Sequence, residues 1–171
     1  MNISENGLNF IKQFEGFRNE AYQDSVNIWT IGYGTTKYPN GSPVRKGERC
    51  TAEQALFWLK LDVKRAAKAI SSFEFKLPLN QSQFDALTSF HYNTGAFDAI
   101  HCRLRDKAIV NASDESIYKY NPENLVDSCE FLRWVRGNGK IIKGLIARRK
   151  AEADLYSSEI KGSIEMPPVH F

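Results

Sequence analysis

Two carboxylates, Glu15 and Asp24, and a hydroxyl, Thr30, fall within the stretch FEGFRNEAYQDSVNIWTIGYGTT, residues 14–36. A pair of acids can cleave a glycosidic bond when one protonates the leaving oxygen and the other handles water or the developing cation. That division of labour needs surroundings that push their proton affinities apart. Glu15 follows Phe10 and Phe14 closely, and Phe17, Tyr22, Trp29 and Tyr33 surround the stretch. A carboxyl in apolar company resists ionisation, so Glu15 is the expected proton donor; Asp24, in a polar stretch, is expected to stay charged. The competing reading is that acids at helix ends and in turns are solvated caps, and the aromatic density is what separates the two.

The elements that must position these groups can be read from the same residues. Ile3, Leu8, Ile11 and Phe14 recur at helical spacing, so a helix is predicted to end on Glu15, with Gly16 as its stop. Ala21-Tyr22 and Ile28-Trp29-Thr30-Ile31 read as strands, with Asp24-Ser25-Val26-Asn27 between them as a turn, and Gly32 and Gly34 mark a second bend. A helix end followed by a hairpin folds back over a short distance. Glu15, Asp24 and Thr30 are therefore expected to face one crevice.

These residues carry a resemblance. Phe14-Glu15-Gly16-Phe17-Arg18, then Ala21-Tyr22-Gln23-Asp24, then Thr30-Ile31-Gly32-Tyr33-Gly34 resemble the E-G-x-R, A-Y-x-D and T-I-G-Y-G motifs of the phage-type lysozymes, the endolysins of glycoside hydrolase family 24. Those enzymes cleave the bond between N-acetylmuramic acid and N-acetylglucosamine in peptidoglycan. The resemblance implies Glu15 as general acid, Asp24 as its carboxylate partner and Thr30 as the hydroxyl that helps Asp24 hold the attacking water. It also implies an inverting mechanism, for which carboxyl separations of about 6.5–9.5 Å are usual. Tyr33 and Asn93 are the expected substrate contacts. Thr35 is a departure, because many members carry His there.

The rest of the chain reads as support. Residues 37–50 are rich in Pro, Gly and charge and predict a surface loop with room for a short third strand. Thr51 and Gln54 form a capping-box pattern ahead of a helix over 52–70, whose apolar positions recur at three or four. In the family a long helix joins two lobes. Asn80 is the expected cap of a helix over 81–92, and Phe84 to Gly95 is similar to the family's second recognisable stretch. Further helices are expected over 97–109, 114–119 and 122–136, the last started by Pro122, with Trp134 in the core. Gly137-Asn138-Gly139 predicts a turn. A final helix over 143–156 carries Gly144-Leu145 and Arg148-Arg149 with Glu152, similar to the family's G-L-x-x-R-R-x-x-E pattern. One of the two arginines is expected to pair with an acid near the cleft. The fold class expected is α+β and lysozyme-like: a small hairpin lobe and a larger helical lobe joined by a long helix. Residues 1–161 form one domain in this reading, and 162–171 an extended tail.

Composition limits the alternatives. A chain of 171 residues with 42% apolar content suits one domain with a sizeable core. No window has the length of a membrane span, and the first fifteen residues lack the pattern of a signal peptide, which predicts a protein first held in the cytoplasm. For a phage enzyme the resemblance then implies a holin that lets it reach the wall, where a monomer acts on glycan strands. The net charge is +3, with Arg133, Arg136, Lys140, Lys143, Arg148, Arg149 and Lys150 crowded late in the chain. Anionic envelope polymers, or plain solvation of a helix face, explain such a run as well as nucleic acid does, and no nucleic-acid motif accompanies it. A zinc set drawn from His91, His101, Cys102 and Cys129 lacks paired ligand spacing, so no metal or other cofactor is expected, and Cys50, Cys102 and Cys129 read as free thiols. Two rival functions remain: a lytic transglycosylase, which needs one acid, and a non-enzymatic protein that perturbs envelopes through its basic stretch.

Overall fold

The computed structural model describes residues 1–24, 27–72, 79–96, 129–137 and 139–158, without the side chains of Cys129 and Glu130. Its first helix, α1 (Glu5–Glu15), starts at Ser4, whose hydroxyl accepts the Gly7 N–H at 3.0 Å. Leu8, Phe10 and Ile11 form its buried side. The helix ends on Glu15 as the apolar spacing predicts, and the Gly16 N–H closes it on the Lys12 carbonyl at 3.2 Å.

Strands β1 (Arg18–Gln23) and β2 (Trp29–Gly32) pair antiparallel, with Tyr22 opposite Thr30 and Gln23 opposite Trp29. The register shifts between Arg18 and Tyr22. There β1 turns its backbone to the returning loop instead: Ala21 N–H donates to Glu48 O and Cys50 N–H to Asn19 O, each at 2.9 Å. The segment 37–50 contributes single bridges, Glu20 to Arg49 and Lys37 to Pro43, in place of a third strand.

Helix α2 (Ala52–Ser71) has its capping box complete: Thr51 Oγ1 accepts from Gln54 N–H at 3.2 Å, and Gln54 Oε1 accepts from Thr51 N–H at 2.9 Å. Helix α3 (Gln81–Thr94) repeats the device with Asn80 and Gln83. A short helix α4 (Cys129–Leu132), a hairpin of β3 (Arg136–Gly137) and β4 (Lys140–Ile141), and helix α5 (Lys143–Ser157) follow. The helix expected to reach 136 therefore stops at Leu132. Past it the backbone pairs forward, the Ile142 N–H donating to Val135 O at 2.9 Å, while the Trp134 ring sets its edge against Phe90 with centroids 5.6 Å apart. The helices expected over 97–109 and 114–119 and the tail 162–171 lie outside the described residues.

Two apolar clusters organise these elements. The larger takes Leu8, Phe10 and Ile11 from α1, Leu59, Val63, Ala67 and Ile70 from α2, Phe84, Leu87 and Phe90 from α3, and Phe131, Ala153 and Tyr156 from later elements. The smaller contains Ile31, Val44, Cys50 and Ala55. Helix α2 thus feeds both, through Ala55 at its start and Leu59 onward, and Tyr33 packs against both. This is the mixed α+β arrangement the sequence predicts, with the linking helix where its periodicity places it.

Candidate active site

Glu15 is the last residue of α1, and its side chain keeps 18% of its surface exposed. The sequence argument expected aromatic rings around it and one of two arginines on an acid near the cleft; the structure puts that arginine on Glu15 itself. Arg148, reaching across from α5, donates from Nη1 to Glu15 Oε1 at 2.6 Å. The same guanidinium lies over the Phe14 ring, 5.5 Å from its centroid, so the phenylalanine serves the arginine as much as the acid. Oε2 points elsewhere: a Cβ placed on Gly34 would sit 3.4 Å from it. Gly34 has φ +94°, a backbone conformation that side-chain-bearing residues rarely adopt, and it leaves the approach to that oxygen open.

Asp24 and Thr30 are tied to the backbone of one residue, Ile28. Asp24 Oδ1 accepts the Ile28 N–H at 2.9 Å, and the Ile28 carbonyl accepts from Asp24 N–H at 3.0 Å and from Thr30 Oγ1 at 3.1 Å. Asp24 is half-buried and Thr30 is buried, at the hairpin end where β1 and β2 are still in register. The two side chains are therefore held on either side of Ile28 by hydrogen bonds that do not depend on the helical elements.

Of the expected substrate contacts, Tyr33 is half-buried, its ring 5.4 Å from Phe17, with its carbonyl accepting from Tyr92 O–H at 3.4 Å. Burial pushes the Tyr92 phenol well above its usual range, and the Glu15 charge adds to that. Asn93 is exposed, and its Oδ1 accepts from Arg149 Nη2 at 2.9 Å. Thr35, at the departure from the family pattern, is buried and closes a tight loop through two backbone bonds with Ile31, each 2.9 Å. A hollow of about 360 Å³ lies beside Tyr92, lined by Asp62, Arg65, Ala66, His91 and Tyr92; Glu15, Asp24 and Thr30 do not line it.

Behind Glu15 stands a group that sequence reasoning left incomplete. Glu152 on α5 has no exposed surface, and its Oε1 accepts from Ser89 Oγ at 2.7 Å, Arg149 Nη2 at 3.0 Å and Arg148 Nε at 3.1 Å. Arg149 Nε is a further charge contact, 2.8 Å from Oε2, and its guanidinium lies 4.8 Å from the Phe90 centroid. Burial holds the Glu152 carboxyl above the usual carboxylate range, although both guanidiniums and the Ser89 hydroxyl pull the other way. The arginine left unassigned between two candidates is Arg148. Arg148 and Arg149 stand four and three positions before Glu152, and that helical spacing is the signal that could have exposed the cluster. It also corrects the late basic run, since two of its seven cations, Arg148 and Arg149, are buried in the helical core rather than presented to an anionic surface. Among the described residues no group of three or more His, Cys, Asp or Glu is placed to hold a metal ion, and His101 and Cys102 lie outside those residues.

The sequence model described as phage lysozyme matches residues 12–152, which is most of the chain. The chain belongs to the phage lysozyme family. Among its relatives in that family, the endolysin of Acyrthosiphon pisum secondary endosymbiont phage 1 is 36% identical over 162 residues, covering 92% of this chain and 99% of the relative. Among solved structures, the endolysin from Escherichia coli O157:H7 phage FAHEc1 aligns with a TM-score of 0.69 at 36% identity, covering 91% of this chain and 93% of that one. The muramidase domain of SpmX from Asticaccaulis excentricus aligns at 0.66 with 30% identity, covering 92% and 99%.

Proposed function

We propose that this phage lysozyme hydrolyses the β-1,4 bond between N-acetylmuramic acid and N-acetylglucosamine in bacterial peptidoglycan, leading to lysis of the host cell. Glu15 protonates the glycosidic oxygen, and Asp24 and Thr30 direct water to the opposite face of the muramic acid ring. One observation carries the reading. The Glu15 carboxyl has one oxygen held by Arg148 and the other directed at the glycine-lined approach of Gly34, so the acid is aimed as well as anchored. The proton travels on Oε2. The Thr30 hydroxyl spends its hydrogen on Ile28 O, which leaves its oxygen to accept from a water beside the Asp24 carboxylate.

The family and this pairing of acid with a water-holding partner favour a direct, inverting displacement. A lytic transglycosylase would not need Asp24 and Thr30 fixed around one residue, Ile28. In a phage setting the enzyme works as a monomer on the wall, after a holin opens the inner membrane. Among the described residues no helix is long and apolar enough to cross a membrane.

Clearing of purified peptidoglycan by wild type beside Glu15→Gln is the test. Loss of the general acid should lower the rate about 10²–10⁴-fold with the fold intact. Full activity in that variant removes the mechanism. The anomer first released, read by NMR, should be inverted, and mass spectrometry of the products should show an added water rather than an anhydro sugar.

A further inference from the structure

The hollow of about 360 Å³ between α2 and α3 has no part in the chemistry proposed for Glu15, Asp24 and Thr30. Asp62, Arg65 and Ala66 line it from α2, and His91 and Tyr92 from α3. Its volume lies within the range of small-ligand sites. Tyr92 joins it to the reaction cleft: the hydroxyl donates to Tyr33 O at 3.4 Å, and Tyr33 precedes Gly34, whose open face meets Glu15 Oε2. Burial is the main reason the Tyr92 phenol is pushed up, and the charges of Glu15 and Asp62 add to it. The hollow is therefore one tyrosine away from the acid. At its rim, Arg65 Nη1 donates to Asp62 Oδ1 at 2.7 Å, with the two side chains 71% and 36% exposed. Among the described residues, Asp62 Oδ2 and the other guanidinium donors have no hydrogen-bond partner. An exposed pair of this kind adds little to stability, so its groups can turn to a ligand at small cost. The same pair lines a narrower recess with Lys37 and Trp58, which brings a second cation to the rim.

We propose that this hollow binds the peptide stem of peptidoglycan: Arg65 and Lys37 hold its carboxylates and Asp62 its side-chain amine, while the glycan occupies the reaction cleft. This rests on the reading of the protein as a peptidoglycan hydrolase. A stem leaves the lactyl group of muramic acid as a peptide, and three extended residues span about 10 Å, which carries its charged groups clear of the sugar ring. It has more carboxylates than amines, and the rim sets Arg65 and Lys37 against Asp62. Bare N-acetylated glycan has no amine for Asp62. A cross-link consumes the amine of the stem, so the hollow should favour stems that are not cross-linked.

The probe is the tetrapeptide L-alanyl-γ-D-glutamyl-meso-diaminopimelyl-D-alanine, acylated at its N-terminus as it is in the wall, titrated into the intact chain and followed by NMR. Saturable shifts should centre on Ala66, His91 and Tyr92. Asp62→Asn and Arg65→Gln, both at exposed positions, should each weaken the affinity about fivefold. Acetylating the diaminopimelate amine should weaken binding to wild type by a like factor and leave Asp62→Asn where it already stands, because the two changes remove one contact. No saturable binding by wild type, or equal weakening of wild type and Asp62→Asn by acetylation, overturns the proposal. The same shifts on adding stem-free chitotetraose overturn it too, since the hollow would then be a sugar subsite. The titration reads no turnover and so stands apart from the parent reading: full activity of Glu15→Gln in wall clearing would remove the proposed mechanism and leave the binding result unchanged.

Discussion

Gly7, where α1 packs on α3, shows how a single position can reverse a propensity rule. In a helix interior, Gly→Ala ordinarily stabilises by about 0.8–1 kcal/mol. Here a Cβ would meet Asp85 Cγ at 2.5 Å and Cβ at 2.8 Å. Asp85 cannot step aside cheaply, because its carboxylate accepts from the Ser4 N–H at 3.0 Å, the Ser4 hydroxyl and the Gln81 amide at 2.8 Å. Overpacking of this kind costs about 1–3 kcal/mol, so the steric loss wins. Gly7→Ala should lower the melting temperature, and calorimetry beside wild type checks the sign. At the same scale the candidate site was half legible. The types and spacing of Glu15, Asp24 and Thr30 pick them out of the chain, but nothing local says that Glu15 shares a guanidinium with an acid 137 positions later.

Helix α2 belongs to both apolar clusters, and its start is where they are joined. Ala55 and Leu59 lie one turn apart and face different clusters. The cap at Thr51 sets where the helix begins, and hence how Ala55 meets Ile31. Thr51→Ala removes the acceptor for the Gln54 N–H, and a lost cap of this kind costs about 1 kcal/mol. For a chain of this size that is about 2–4 °C in the melting temperature. Thr51→Ser, which keeps the oxygen, should recover most of it. This element was readable because caps and apolar periodicity are local properties. The end of α4 was not, because Val135 and Trp134 leave the helix for partners elsewhere, the Ile142 N–H and the Phe90 ring.

Across the molecule the two clusters are unequal, and stability should be unequal with them. The smaller one rests on Ile31, Val44, Cys50 and Ala55, while the larger draws on every long helix described. Regions with few buried apolar contacts open at lower free energy. Native-state hydrogen exchange should show the amides of β1 and β2 exchanging through smaller openings than those of α2 beyond Leu59 and of α3. Equal protection of the hairpin and α3 would mean that the clusters open as one unit. The proposed chemistry spans this divide, with Glu15 anchored to the helical side and Asp24 and Thr30 to the hairpin.

The linear order of residues determined the helix that ends on Glu15, the hairpin, the capping box at Thr51 and the cap at Asn80. All of these depend on neighbours a few positions apart, where propensity, capping and alternation act directly. What surrounds Glu15 was decided by the tertiary structure. Charge pairing between α1 and α5 depends on how α3 packs between them, and Coulombic contact is a matter of distance in space, to which spacing along the chain gives no direct access.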